Sequence, residues 1–184
     1  MSDNTKYPKL IWLDLEMTGL DPDSERIIEI ATLVTNFDLT EVIEGPNLVI
    51  KQPLEFLENM DEWNTVHHGQ SGLLDCVKIT TISQRQAEEE TLDFLVKHSK
   101  KGESPLCGNS ISHDRRFLNR YMPELAAFFH YRNIDVSSIK ELVKRWHPDL
   151  LKGFSKQSSH RALSDVRESI EELKFYKENF FVKF

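Results

Sequence analysis

Residues 10–17, Leu-Ile-Trp-Leu-Asp-Leu-Glu-Met, constrain this chain more than any other segment. They are apolar enough for a central strand, yet Asp14 and Glu16 interrupt the run. Side chains alternate faces along a strand, so these two acids share one face while Leu13 and Leu15 take the other. On an edge strand the pair is an ordinary solvated face, since charged residues usually meet water. On a central strand, two carboxylates about 4 Å apart repel by roughly 4 kcal/mol at an effective dielectric of 20. The fold must then supply a counter-charge, and a divalent cation is one.

The remaining pattern is that of a mixed α/β domain with helices covering a central sheet. Ile27 to Asn36 reads as a second strand and Asn47 to Lys51 as a third, in an antiparallel meander, with a turn at residues 18–23. Leu106 to Asn109 reads as another short strand. Ser83 with Gln86 forms a capping-box signature ahead of Leu92, Leu95 and Val96. Phe117, Leu118, Tyr121 and Met122 share a helical face that Pro123 closes. Ser138 with Glu141 caps a stripe of Ile139, Leu142, Val143 and Trp146, which Pro148 ends. The last helix runs from about Arg161 to Phe180, on a stripe of Leu163, Val166, Ile170 and Leu173.

Composition narrows the classes. Among 184 residues, 39% are hydrophobic and 29% charged, the balance of a globular protein and not of a disordered tail. There is no repeat or linker, so residues 1–184 read as a single domain. No apolar run approaches the ~18 residues of a membrane span, and the N-terminal stretch lacks a signal-peptide pattern. Cys76 and Cys107 are too few for a disulfide framework, so free thiols in a reducing cytoplasm are expected. A net charge of −7 argues against wrapping a long duplex nucleic acid, which requires many Lys and Arg, but is compatible with a short one.

Two further acids accompany the first pair. Asp114 lies three and four residues before Phe117 and Leu118 and shares their inward face; by itself it also reads as a first-turn helix acid. Asp165 flanks the stripe of the last helix, and alone it reads as an exposed acid paired with Arg161. His160, five residues earlier, would stand about 140° away on an ideal helix, which places it in the entering loop. Their combination overrules the separate readings. Asp14, Glu16, Asp114 and Asp165 each sit beside an apolar face, and together they carry a charge that two Mg²⁺ or Mn²⁺ ions match through all-oxygen ligands. A metal pair about 3.5–4 Å apart suits in-line phosphoryl displacement. A histidine with a near-neutral pKa suits removal of a proton from the attacking water.

With Asp14-x-Glu16, then Asp114, then His160 and Asp165 at a five-residue step, the chain resembles the DEDD exonucleases of the ribonuclease H-like fold, in their histidine branch. Within that branch it resembles the oligoribonucleases through Trp12-Leu13-Asp14-Leu15-Glu16-Met17-Thr18-Gly19-Leu20, the stretch from Cys107 to Leu118, and the stretch from His160 to Tyr176. The resemblance implies a ribonuclease H-like mixed central sheet flanked by helices and a single exonuclease domain over residues 1–184. It implies a homodimeric 3′-to-5′ exoribonuclease that cuts short oligoribonucleotides, above all dinucleotides, to mononucleotides. It also implies that Leu20 wedges between the bases and Trp63 stacks on one. His68, Ser110, Arg132 and Ser137 would hold the 5′-phosphate, and Tyr131 would reach the neighbouring subunit's site. Ser112-His113 departs from the family, which more often has a small residue and Gln before the acid.

Other readings compete. Arg115, Arg116, Arg120, Arg132, His160 and Arg161 lie near the acids in sequence, enough for one or two phosphates, but exposed arginine is common. Trp63 also reads as a core residue. His67-His68 lacks a third ligand for zinc. A trimming exonuclease for long strands predicts a basic track that the sequence lacks. A catalytically dead binding module should have lost some of the five site residues. A phosphatase of small metabolites stays open, with Leu20 and Trp63 counting against it.

Overall fold

The computed structural model describes residues 7–154 and 160–181. Strands β1 (Leu10–Met17), β2 (Ile27–Thr35), β3 (Val42–Val49), β4 (Leu106–Gly108) and β5 (Asn133–Asp135) form one sheet in the order β3-β2-β1-β4-β5. The first three make an antiparallel meander, and β4 and β5 add in parallel to β1. The segment carrying Asp14 and Glu16 is therefore central. Helices α1 (Leu54–Glu58), α2 (Glu62–Gln70), α3 (Leu73–Ile79) and α4 (Gln84–Leu95) follow the meander. Next come α5 (Ser112–Tyr121), α6 (Pro123–Ala126), α7 (Val136–Trp146), a 3-10 turn over Pro148–Gly153 and α8 (Ala162–Asn179).

The alternation along β1 splits the core in two. Ile11, Leu13 and Leu15 join Leu95, Phe117, Leu118 and Leu125 on one face. Trp12 joins Ala31, Leu33, Val166, Ile170 and Tyr176 on the other, with the Trp12 indole donating to Thr35 Oγ1 at 3.0 Å. Asp14 and Glu16 follow Trp12 at even positions, so they emerge on the face that α8 covers. A small third cluster (Ile28, Leu57, Leu73 and Val77) seats α1 and α3.

Several local expectations need correction. The third strand runs over Val42–Val49 instead of Asn47 to Lys51. Gly45 and Pro46 hide it in the sequence, but an edge strand tolerates a proline that donates nothing. Helix α7 starts two residues before Ser138 and is capped by Asp135, which accepts from Ser137 N at 2.9 Å. Of its expected stripe, Leu142 and Trp146 are exposed, as is Val96 at the end of α4. Pro123 ends one helix and opens the next. The α1–α3 region and β5 carried no clear apolar period.

Candidate active site

Oxygens of Asp14, Glu16 and Asp165 lie within 4.8 Å of one another. The first two come from β1 and the third from the opening turn of α8, where an acid is favoured by the helix dipole. Asp114 enters from α5 on the opposite side of β1 and is buried. Strand β4 pairs with β1 only at Ile11 and Trp12, and beyond it the Leu15 amide donates to Asp114 Oδ1 at 2.9 Å. Gly108, at the end of β4, permits this approach: a Cβ there would stand 2.9 Å from the Leu13 carbonyl oxygen. The β1–β2 register also shifts between Glu16 and Met17, an irregularity of the sort that re-aims side chains beside active sites.

The electrostatics record the crowding. Burial raises the Asp14 carboxyl well above its usual range, and Asp114, Glu16 and Asp165 add to it. Burial and then Asp165 raise Glu16 to about 8. Burial raises Asp114 to about 7, against the opposing Leu15 hydrogen bond. Carboxyls raised this way favour a counter-charge, and their all-carboxylate donor set fits a hard divalent cation.

Arg161 brings a positive charge that partly offsets the shift at Glu16. Its guanidinium grips the fully buried Glu29, with Nη2 2.8 Å from Oε1, while Glu29 Oε2 accepts from Ala162 N at 3.1 Å. Glu29 pairs with Glu16 across β1 and β2. Arg161 thus anchors the start of α8 through Glu29, while its carbonyl accepts from Asp165 N at 3.1 Å.

His160 precedes that helix with a left-handed backbone, φ 49°. Its ring meets His67 at 4.7 Å and Trp63 at 5.5 Å, edge-on in both cases. Trp63 stacks on His67 at 3.9 Å and is 55% exposed, so it is not a core residue. His67 Nδ1 donates to the Trp63 carbonyl at 2.6 Å. The buried His68 turns inward instead: Nε2 donates to Met17 O at 2.9 Å, and Nδ1 lies 3.9 Å from Glu16 Oε2. Burial lowers its pKa. Its polar contacts place it beside Glu16 rather than beside Ser110 and Ser137.

Ser110 and Ser137 come together, their hydroxyl oxygens 3.2 Å apart. Tyr131 and Arg132 are exposed on the preceding loop, with the Arg132 guanidinium 5.0 Å from the Tyr131 ring. Arg115 is committed to structure: it binds the Asn133 side chain and donates to His130 O at 2.9 Å. Arg116 and Arg120 are exposed. A cavity of ≈560 Å³ is lined by Asp14, Glu16, Asp114 and Asp165 together with Leu20, Trp63, Ser110, Ser112 and His113. Leu20, 71% exposed, stands on a turn braced by Thr18 against Glu25 and by Arg26, whose guanidinium sits 3.9 Å over the Phe56 ring.

Sequence reasoning missed Glu29 and the Asn109–Glu172 contact, and weighed His67 only as half of a zinc pair and not as a neighbour of Trp63 and His160. Glu29 carried a legible signal, an acid inside the apolar run Ile-Ile-Glu-Ile. The Asn109–Glu172 contact had none, because it depends on a pairing between distant elements.

The exonuclease family profile matches residues 11–173. An oligoribonuclease of Marinobacter nauticus is 60% identical, covering 94% of this chain and 96% of its own length. One from Bordetella pertussis is 58% identical, covering 93% and 94% respectively. Solved structures agree on the fold: E. coli exonuclease I in complex with a dA16 oligonucleotide superposes with a TM-score of 0.71 at 14% identity. That match covers 94% of this chain, which spans about two fifths (41%) of the length of the solved one. Exonuclease I from Methylocaldum szegediense gives a TM-score of 0.68 at 16% identity. The sheet order, the converging acids and these likenesses together assign the chain to the oligoribonuclease family of 3′-to-5′ exoribonucleases, on a ribonuclease H-like fold.

Proposed function

We propose that the chain, as a single domain over residues 1–184, hydrolyses short oligoribonucleotides from the 3′ end, chiefly dinucleotides, to nucleoside 5′-monophosphates. The observation that carries this reading is the meeting of Asp14, Glu16 and Asp165 in a cavity that also holds Leu20 and Trp63. Asp14, Glu16, Asp114 and Asp165 would hold two divalent ions, Mg²⁺ or Mn²⁺. Bound there, such ions supply charge neutralisation at the attacking and leaving oxygens of a phosphodiester.

The protein's own residues do the rest. His160 takes the proton of the attacking water from its place ahead of α8, beside Trp63, which lines the cavity. Leu20 inserts between the bases and Trp63 stacks on one, which explains why both apolar side chains stand exposed. Ser110, Ser137 and Arg132 hold the 5′-phosphate, while the buried His68 lies beside Glu16, its Nδ1 3.9 Å from Oε2. A short pocket closed by that phosphate suits a protein of net charge −7, which has little long-range attraction for a polyanion. We extend the proposal to a homodimer in which Tyr131, 73% exposed, reaches the partner's site. Two free cysteines suit a reducing cytoplasm, and among the described residues no helix is long and apolar enough to cross a membrane.

The test is a time course on labelled RNAs of two to ten nucleotides, with and without EDTA. Dinucleotides should be consumed fastest, and EDTA should stop turnover. Rates that rise with length would overturn the reading in favour of a trimming enzyme.

A further inference from the structure

A chain of hydrogen bonds, buried at its α8 end and part-buried beyond it, runs from α8 to the paired hydroxyls of Ser110 and Ser137. It begins at Glu172, which is fully buried. Among its partners in the described residues are Tyr176 Oη at 2.8 Å, Asn109 Nδ2 at 3.2 Å and the Lys140 ammonium at 3.5 Å. A carboxyl oxygen facing such donors accepts from them. The Asn109 amide must therefore turn its NH₂ towards Glu172. Its second hydrogen reaches Ser169 Oγ at 2.7 Å, and Ser169 donates in turn to the Asp165 carbonyl at 2.8 Å. The Asn109 oxygen is left facing Ser137, whose hydroxyl donates to it at 3.0 Å.

This fixes what Ser137 offers. Its one hydrogen is spent on Asn109, and its oxygen accepts from Ser110 N at 2.9 Å. The Ser110 and Ser137 amides are both held by Asp135 Oδ1, at 3.0 and 2.9 Å, which takes up part of that carboxylate's charge. Ser110 is exposed at the cavity wall, so its hydroxyl is the one able to turn outward and donate.

From this geometry we infer that Glu172 and Asn109 are positioning residues: they set the direction of the Ser137 hydrogen and thereby make Ser110 the hydroxyl that donates to the substrate's 5′-phosphate. The inference rests on the proposed phosphate site at Ser110 and Ser137, and has Ser137 act there through Ser110 and not as a donor of its own. Neither Glu172 nor Asn109 touches substrate. Their effect passes through the orientation of two hydroxyls, so it appears in how strongly a 5′-phosphate is preferred over a 5′-hydroxyl.

The experiment compares kcat/KM for the same dinucleotide with and without a 5′-phosphate, and records Tm for each variant. Asn109→Asp sets two carboxylates against each other, and Glu172→Gln removes the charge that orients the amide. Each should lower the 5′-phosphate preference about tenfold, mainly through KM, the scale of one hydrogen bond to a charged group. The double variant Asn109→Asp with Glu172→Gln restores one donor facing one acceptor and should recover most of the preference. Loss of a merely structural contact would lower Tm without that selective recovery. If either single variant is too unstable to assay, Ser137→Ala breaks the last link at a half-buried site and carries the same expectation. A preference unchanged in these variants but lost in Ser110→Ala would overturn the relay and leave the phosphate site standing. A preference unchanged in Ser110→Ala would overturn both. Failure of the double variant to exceed the single ones would likewise overturn the relay.

Discussion

Asp114 accepts the amide hydrogen of Leu15 across 99 residues of sequence, completing β1 where β4 has ended. This carboxylate does two jobs at once: it satisfies a buried backbone donor and it adds to the upward shift of Asp14. Its removal therefore affects folding, whereas neutralising Asp14 or Glu16 relieves repulsion.

Glu16→Gln should abolish turnover while raising the stability of the metal-free protein. Glu16 is held near 8 chiefly by burial and by Asp165, so loss of its charge is a gain on the order of a few kcal/mol at pH 8. Thermal melts in EDTA measure this, and a lower Tm than the parent protein would contradict it.

Metal-free stability should fall as pH rises. Glu16 titrates at about 8 in the folded chain against 4.5 ordinarily, and Asp114 at about 7 against 3.8. Raised pKa values mean that the folded state binds protons more tightly, so their contribution is complete below about pH 4 and lost as pH climbs through 7 and 8. Melts from pH 4 to 9 in EDTA should slope downward over that window, and Mg²⁺ or Mn²⁺ should flatten the slope. A Tm that climbs between pH 6 and 8 without metal would refute the crowding.

His160→Ala should slow the chemical step roughly 100-fold or more, the usual scale for a lost general base, while dinucleotide binding persists. Single-turnover kinetics separate the two. Equal losses in affinity and rate would make His160 a binding residue.

Trp63→Ala and Leu20→Ala should leave Tm nearly unchanged, because both side chains are exposed. KM should rise, as each stacked base is worth about 1–3 kcal/mol. Arg132→Ala should harm 5′-phosphorylated dinucleotides selectively. Equal damage to phosphorylated and unphosphorylated substrates would remove Arg132 from the phosphate site.

Arg161→Ala should cost about 3–5 kcal/mol of stability, because it strands the buried Glu29 carboxylate without its partner. Chemical denaturation gives the number; a loss below about 1 kcal/mol would show that Glu29 finds another partner or takes up a proton.

Much of the scaffold was legible because its signals are local. The alternation in residues 10–17 was enough to put Asp14 and Glu16 on one face, and the spacing to Phe117 and Leu118 turned Asp114 inward. The capping signature at Ser83 marked the start of α4, where Ser83 Oγ accepts from Gln86 N at 3.1 Å. What stayed hidden depends on partners distant in the chain. Arg161 looked like a neighbour of Asp165 because helix spacing puts residues four apart together, yet Glu29, 132 positions away, takes it. Asp135 outcompeted Ser138 as a cap because β5 delivers its side chain to the Ser137 amide. The environment of His68 became readable only once α2 had been laid against the end of β1.

Arg115 follows Asp114 on α5, and its guanidinium ties that helix to residues 130–133, the loop bearing Tyr131 and Arg132. The acid and the loop are therefore joined through one side chain. Under the proposed reading Arg115 braces the gauge against which the substrate is measured: a loop displaced to admit a longer strand pulls on the helix that carries Asp114, the acid set beside the scissile bond.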